Sequence, residues 1–193
     1  MAYSWDNRCN FVVKYLYDTD SNGVLEKNDF ECMALKMTVL EGKGVFNASR
    51  HQENLHVMLS LWEEIAQIAD FNKDGVVTTE EFKDAVQKSC VGKSYADFPQ
   101  AMKMFIDNHF KIVDMNGDGV IGVEEYRYNA VTRIPIASID IIDAAYQKLL
   151  NDDDKRRGGL HLARYQELYA SFLGDPTDKT PAVHLFGPLP ENC

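Results

Sequence analysis

An all-α protein of four helix–loop–helix units in two packed pairs is the fold this sequence predicts, on three observations. One pattern of Asp, Asn and Gly recurs three times down the chain. Apolar residues spaced by three and four flank the copies. A fourth segment keeps the glycine, the apolar residue and the following aromatic of the pattern but not its acidic side chains. The 193 residues are 45% hydrophobic and 26% charged, which suits a folded core and allows one domain or two tightly packed halves.

The first copy is Asp18-Thr-Asp20-Ser-Asn22-Gly23-Val-Leu25-Glu26-Lys-Asn-Asp29. Phe30 follows at once, with Met33 and Met37 behind it at helical spacing, so a helix leaves the loop. Glu41-Gly-Lys-Gly44 breaks that helix, and a long one follows in which Leu55, Met58, Leu59, Trp62, Ile65 and Ala69 form one apolar stripe. It leads to the second copy, Asp70-Phe-Asn72-Lys-Asp74-Gly75-Val-Val77-Thr78-Thr-Glu-Glu81. Thr78 and Glu81 read as a capping box for the exit helix, where Phe82, Ala85 and Val86 pack. Cys90 to Pro99 is a Gly-containing linker predicted to bend, which sets the first pair at 1–90 and the second at 91–173.

In the second pair Phe98, Met102, Phe105, Ile106, Ile112 and Val113 precede the third copy, Asp114-Met-Asn116-Gly-Asp118-Gly119-Val-Ile121-Gly122-Val-Glu-Glu125, and Tyr126 follows it. Ile139, Ile142, Tyr146 and Leu149 form the next stripe, and Tyr165, Leu168, Tyr169 and Phe172 the last. The tail, 174–193, holds four of the six prolines and is expected to be irregular. Val183, Leu185, Phe186 and Leu189 suit a free end poorly, so the tail is expected to pack back onto the helices.

The spacing inside each copy matches the twelve-residue EF-hand loop, in which alternate residues give a calcium ion about 6 to 8 oxygens. Positions one, three and five supply Asp18, Asp20 and Asn22, then Asp70, Asn72 and Asp74, then Asp114, Asn116 and Asp118. Position six needs a sharp turn and is Gly23, Gly75 or Gly119. Position seven offers the carbonyls of Val24, Val76 and Val120; position nine is Glu26 or Thr78, while Gly122 leaves its place to water. Glu81 and Glu125 fit the bidentate twelfth position, where loop one has the shorter Asp29. Asp29 should give one oxygen or draw the loop inward, so site one is expected to be a mixed calcium and magnesium site. At position eight, Leu25, Val77 and Ile121 are expected to join paired loops through a short two-stranded bridge.

The fourth segment, Asp153-Asp-Lys155-Arg-Arg157-Gly158-Gly-Leu160-His161-Leu-Ala-Arg164-Tyr165, carries Lys155, Arg157 and Arg164 at positions three, five and twelve. Alignment on the entering helix would instead start the loop near Asn151 and lengthen it. Either register removes the binding chemistry and leaves a degenerate hand that pairs with the third.

Thirty acidic against 20 basic residues give a net charge of −10, which opposes nucleic acid and an anionic membrane. No apolar run is long enough to span a bilayer, the start lacks the regions of a signal peptide, and Ala2 excludes N-myristoylation. Cys9, Cys32, Cys90 and Cys193 are scattered, which suggests neither a zinc site nor a disulfide framework; a reduced, cytosolic protein is expected. The histidines show no ligand spacing and no paired nucleophile, so no enzyme is expected. The methionines at 33, 37, 58, 102 and 104 read as core more readily than as a target groove.

With these motifs the chain resembles the invertebrate sarcoplasmic calcium-binding proteins, most closely those of crustacean muscle. The resemblance covers nearly the whole chain and is strongest in Ala2-Tyr-Ser-Trp-Asp-Asn-Arg8, Lys27-Asn-Asp-Phe-Glu-Cys32, Ala69-Asp-Phe-Asn-Lys-Asp-Gly75 and Leu185-Phe-Gly-Pro-Leu189. It implies a four-hand buffer of muscle cytosol that exchanges calcium with magnesium, with sites one to three active. It also implies homo- or heterodimers and recognition by IgE in sensitised hosts. A sensor that opens a hydrophobic groove to target helices is the competing reading. A photoprotein-like chromophore binder is the remote one, because Trp5 and Trp62 are the only tryptophans and three Tyr-His-Trp clusters cannot be built.

Overall fold

The computed structural model describes residues 1–191 and 193. Ser4 accepts the Asn7 N–H and starts helix α1 (Trp5–Phe11), which widens into a π-helical turn (Val12–Tyr17) closed by Asp18 N–H on Val13 O at 2.8 Å. Strand β1 (Val24–Leu25) and helix α2 (Lys27–Glu41) follow. The side chain of Asn47 caps α3 (Ala48–Ala69), and β2 (Val77–Thr78) leads into α4 (Thr79–Ser89). Thr78 and Glu81 form the capping box expected there.

The linker bends as expected, through a 3-10 turn (Tyr95–Asp97), before α5 (Gln100–Val113) starts after Pro99. Then come β3 (Val120–Ile121), α6 (Val123–Val131), α7 (Ile139–Leu149), a short α8 (Asp152–Arg157), β4 (Leu160–His161), α9 (Leu162–Gly174) and a last 3-10 turn (Pro181–His184). β1 pairs antiparallel with β2 and β3 with β4, so Leu25 faces Val77 and Ile121 faces Leu160. These are the position-eight residues expected to form the bridges.

One aromatic core crosses both pairs. Tyr17 packs on Phe30, Phe82 and Phe105 with ring centroids 5.5 to 5.9 Å apart, so the first, second and third hands meet on one side chain. Tyr169 joins Phe105 to Phe186 of the tail, and Phe186 stacks edge-on against Phe172 at 4.9 Å. Val183, Leu185, Phe186 and Leu189 are all buried, so the tail packs back. The linker also presses on α9. Gly92 N–H donates to Gly174 O at 2.9 Å, and a Cβ on Gly174 would lie 2.6 Å from Cys90 O.

The α3 stripe differs from expectation. Met58, Trp62, Ile65 and Ala69 are buried, but Leu59 and Leu55 are only partly so, while Leu61 and Asn54 are fully buried. The buried face steps 54, 58, 61, 65, 69, which leaves Leu59 on its edge. Ile112 likewise falls on the margin of the α5 face.

Asn54 shows why a polar residue belongs on that face. Its Nδ2 donates to Thr38 Oγ1 at 3.1 Å, and its Oδ1 accepts from Asn108 Nδ2 at 3.0 Å, tying α2, α3 and α5 together. Asn54→Leu should therefore lower stability by about 2 kcal/mol, because Asn108 would keep a buried amide without its acceptor. Urea unfolding checks this, and a neutral result would mean the ladder contributes nothing net.

The four cysteines are free, and burial pushes the Cys9 thiol up to about 12 and the Cys90 thiol up to about 11. Among the described residues no helix is long and apolar enough to cross a membrane.

Candidate metal centre

Loops one to three are folded by the same series of hydrogen bonds. The carboxylate at position one receives the N–H groups of positions five and six: Asn22 and Gly23 on Asp18 at 3.1 and 2.9 Å, Asp74 and Gly75 on Asp70 at 3.2 and 3.1 Å, and Asp118 and Gly119 on Asp114 at 3.1 and 2.9 Å. The side chain at position three receives the position-five N–H, at 3.1 Å on Asp20, 3.0 Å on Asn72 and 2.8 Å on Asn116. Asn22, Asp74 and Asp118 in turn receive the N–H groups of Val24, Val76 and Val120 at 2.9 to 3.0 Å. The bonds at positions three and five are Asx turns, and with the position-one carboxylate they curl the chain around its own acidic side chains. The curl requires a left-handed residue at position six, where Gly23, Gly75 and Gly119 have φ of +90°, +87° and +83°.

Position twelve closes loops one and three. In loop one Asp29 is fully buried; its Oδ1 accepts from Thr19 N and its Oδ2 from Glu26 N, both at 2.9 Å. Asp18, Asp20 and Asp29 each bring a carboxylate oxygen within 4.8 Å of the others. Glu125 in loop three accepts from Asn116 N at 3.2 Å and Gly122 N at 2.9 Å, while Glu81 in loop two holds the N–H and hydroxyl of Thr78 at 2.9 and 2.8 Å. The position-twelve residue is also the third residue of the exit helix in each case, so its carboxylate caps the helix, and in loops one and three it also ties back to the first half of the loop. Thr19, whose hydroxyl also reaches Asp29 at 3.1 Å, carries no signal in the sequence, since position two is unpatterned.

The donors gathered in the three loops are all oxygen, from carboxylates, amides and backbone. That set suits a hard cation such as calcium or magnesium and lacks the thiolate and imidazole ligands that softer metals prefer.

Loop four departs from the register counted from Asp153. α7 ends at Leu149 and Leu150 N–H closes on Tyr146 O, as Asp70 closes on Ala66 and Asp114 on Phe110, so the loop starts earlier and is longer than the others. α8 fills the extra length, capped by Asn151, whose Oδ1 accepts from Asp154 N at 2.8 Å, and ended by Gly158 at φ +86°. Lys155 and Arg157 are exposed on α8, and Arg156 and Arg157 pair with Asp153, so positions three and five are not where the spacing put them. Arg164 does hold position twelve. Its Nε meets Oδ2 of the fully buried Asp154 at 3.2 Å, so a guanidinium neutralises the one carboxylate that loop four turns inward.

Two bridged pairs of helix–loop–helix units, three of them with oxygen-lined loops, define an EF-hand protein. The EF hand family profile matches residues 67–86 and 106–127. The chain is 58% identical over 190 residues to sarcoplasmic calcium-binding protein 1 of Astacus leptodactylus, covering 98% of this chain and 99% of the relative. It belongs to the sarcoplasmic calcium-binding proteins. It is also 56% identical to the sarcoplasmic calcium-binding protein of Scylla paramamosain, over 99% of both chains. Among solved structures, an amphioxus sarcoplasmic calcium-binding protein matches with a TM-score of 0.76 at 26% identity, over 90% of this chain and 91% of that one.

Proposed function

We propose that this protein is a calcium and magnesium buffer of muscle cytosol that holds one cation in each of loops one to three and none in loop four. The observation that carries this is the contrast between loops: three share one hydrogen-bonded acidic curl, while the fourth already contains a guanidinium. The ligands are Asp18, Asp20, Asn22, Val24, Glu26 and Asp29; Asp70, Asn72, Asp74, Val76, Thr78 and Glu81; and Asp114, Asn116, Asp118, Val120 and Glu125. The hands work as two units, 1–90 and 91–173, with 174–193 as a strap across them. A buffer is favoured over a sensor because Met33, Met37, Met58 and Met102 are buried in the shared core. No catalytic role is assigned. Dimer formation and IgE recognition rest on the resemblance to crustacean relatives, and sedimentation and serum binding test them.

Calorimetric titration with calcium, with and without magnesium, should return three sites per chain, one of which is slowed by magnesium. That site is loop one, where Asp29 is one methylene short of the bidentate reach that calcium uses and magnesium does not need. Asp29→Glu should raise the calcium-over-magnesium preference of site one and leave sites two and three unchanged. A stoichiometry of four, or a wild-type site one indifferent to magnesium, would overturn the assignment.

A further inference from the structure

Asn22-Gly23 in loop one and Asn116-Gly117 in loop three are the two Asn-Gly pairs of the chain, and all four residues are exposed. Each asparagine is folded back over the peptide that follows it. Asn22 Oδ1 accepts from Val24 N at 3.0 Å and its Nδ2 donates to Asp20 Oδ2 at 3.2 Å; Asn116 Oδ1 accepts from Asp118 N at 2.8 Å and its Nδ2 donates to Asp118 Oδ2 at 2.9 Å. The N–H of the following glycine is held on the position-one carboxylate, Gly23 on Asp18 Oδ2 and Gly117 on Asp114 Oδ1, both at 2.9 Å.

An Asx turn keeps the side-chain carbonyl carbon beside the next peptide nitrogen, because both belong to the ring that the hydrogen bond closes. Those two atoms must join for an asparagine to form a succinimide. A Cβ on the next residue crowds their approach, and glycine has none. Loop two supplies the contrast. Asn72 makes the same turn, its Oδ1 accepting from Asp74 N at 3.0 Å and its Nδ2 donating to Asp74 Oδ2 at 2.8 Å, but the residue that follows is Lys73, at φ +58°.

We infer that Asn22 and Asn116 are sites of spontaneous deamidation, open when their loops are empty, and that Asn72 is not. The glycine nitrogen attacks the asparagine Cγ, and its proton passes by way of Asp18 or Asp114 to the departing amide, which leaves as ammonia. Water then opens the succinimide at either carbonyl and gives aspartate or isoaspartate. The gating rests on the ligand sets proposed above: an ion that holds the asparagine oxygen pins the side chain, so the ring closes only after the ion has left. An aspartate at position five repeats Asp74 and Asp118, and one at position three repeats Asp20, so that product keeps the ligand pattern. Isoaspartate inserts a methylene into the backbone and breaks the spacing on which the curl depends.

The test incubates the full chain in mildly alkaline buffer, with excess chelator or with saturating calcium, and follows each loop by peptide mass spectrometry. In chelator the peptides carrying Asn22 and Asn116 should gain one mass unit several-fold faster than the peptide carrying Asn72, and calcium should suppress the gain. Labelling by an isoaspartate methyltransferase marks the isoaspartate fraction. Lys73→Gly should make Asn72 as labile as Asn116. Gly117→Lys should protect Asn116 without disturbing the loop, since position four of loop two already holds Lys73 at a left-handed φ and a Cβ on Gly117 meets nothing within 4 Å. Intact Asn22 and Asn116 in chelator, an Asn72 that converts as fast as they do, or an Asn72 left unchanged by Lys73→Gly would overturn the inference. So would equal conversion in calcium and in chelator, and calorimetry on the same sample, by counting the ions bound, separates that failure from a failure of the ligand assignment.

Discussion

Arg8→Met is expected to lower the stability of the calcium-saturated protein by about 3–5 kcal/mol, the range for removing one partner of a buried charged network. Arg8 is fully buried, and its guanidinium closes the end of α9: Nη1 donates to Phe172 O at 2.5 Å, and Nη2 to Asp175 O at 2.6 Å and Thr177 O at 2.9 Å. Those carbonyls have no helical N–H left to accept, and they lie at the negative end of the helix dipole, which favours a cation there. Trp5 Nε1 takes Leu173 O at 2.7 Å beside it. Asn7 then holds the far end of the tail, donating to Pro190 O at 2.7 Å and accepting from Cys193 N at 2.9 Å. Methionine fills the volume but answers none of these acceptors. For a chain of this size the loss corresponds to about 10–15 °C in Tm, and amide exchange in 175–190 should rise with it. A change below about 1 kcal/mol would show that water replaces the guanidinium without penalty.

Removing calcium is expected to have a still larger effect. The chain carries a net charge of −10, and loop one packs three carboxylates within 4.8 Å of one another. A site filled to a thousand times its dissociation constant contributes about 4 kcal/mol, so three such sites together exceed the whole stability of many domains. Excess chelator should therefore lower Tm by at least about 20 °C and loosen the Tyr17–Phe30–Phe82–Phe105 cluster, since the helices carrying those rings all begin or end near loops one to three. Calorimetry in calcium and in chelator measures the difference, and a Tm that moves by less than about 5 °C would contradict the proposed ligand sets.

The loops were legible in the sequence because their chemistry leaves little freedom: side-chain oxygens on alternate residues and a left-handed glycine can be read without knowing the fold. The bridge pairs followed from position eight, and the buried tail from four large apolar residues among prolines. What stayed hidden was polar. Arg8, Asn54 and Asn108 are buried by partners far away in the chain, and a search for apolar periodicity passes over them. The α8 helix had a signal that a twelve-residue template obscures. Asn151 and Asp154 form a capping box, the acids precede the bases along the helix dipole, and Gly158 ends it. The Arg164–Asp154 contact follows from that longer loop and could not be placed before it.

The guanidinium in loop four also bears on how the ions load. Hands in a pair feel each other through the bridge, and Ile121 of loop three faces Leu160 of a loop whose positive charge is covalently attached and never dissociates. Site three thus has a mate permanently in one state. Loops one and two, joined by Leu25 and Val77, each face a neighbour that can be empty or full. On the proposed assignment, cooperativity carried by a bridge is confined to the first pair, and site three has no titrating partner across its own bridge.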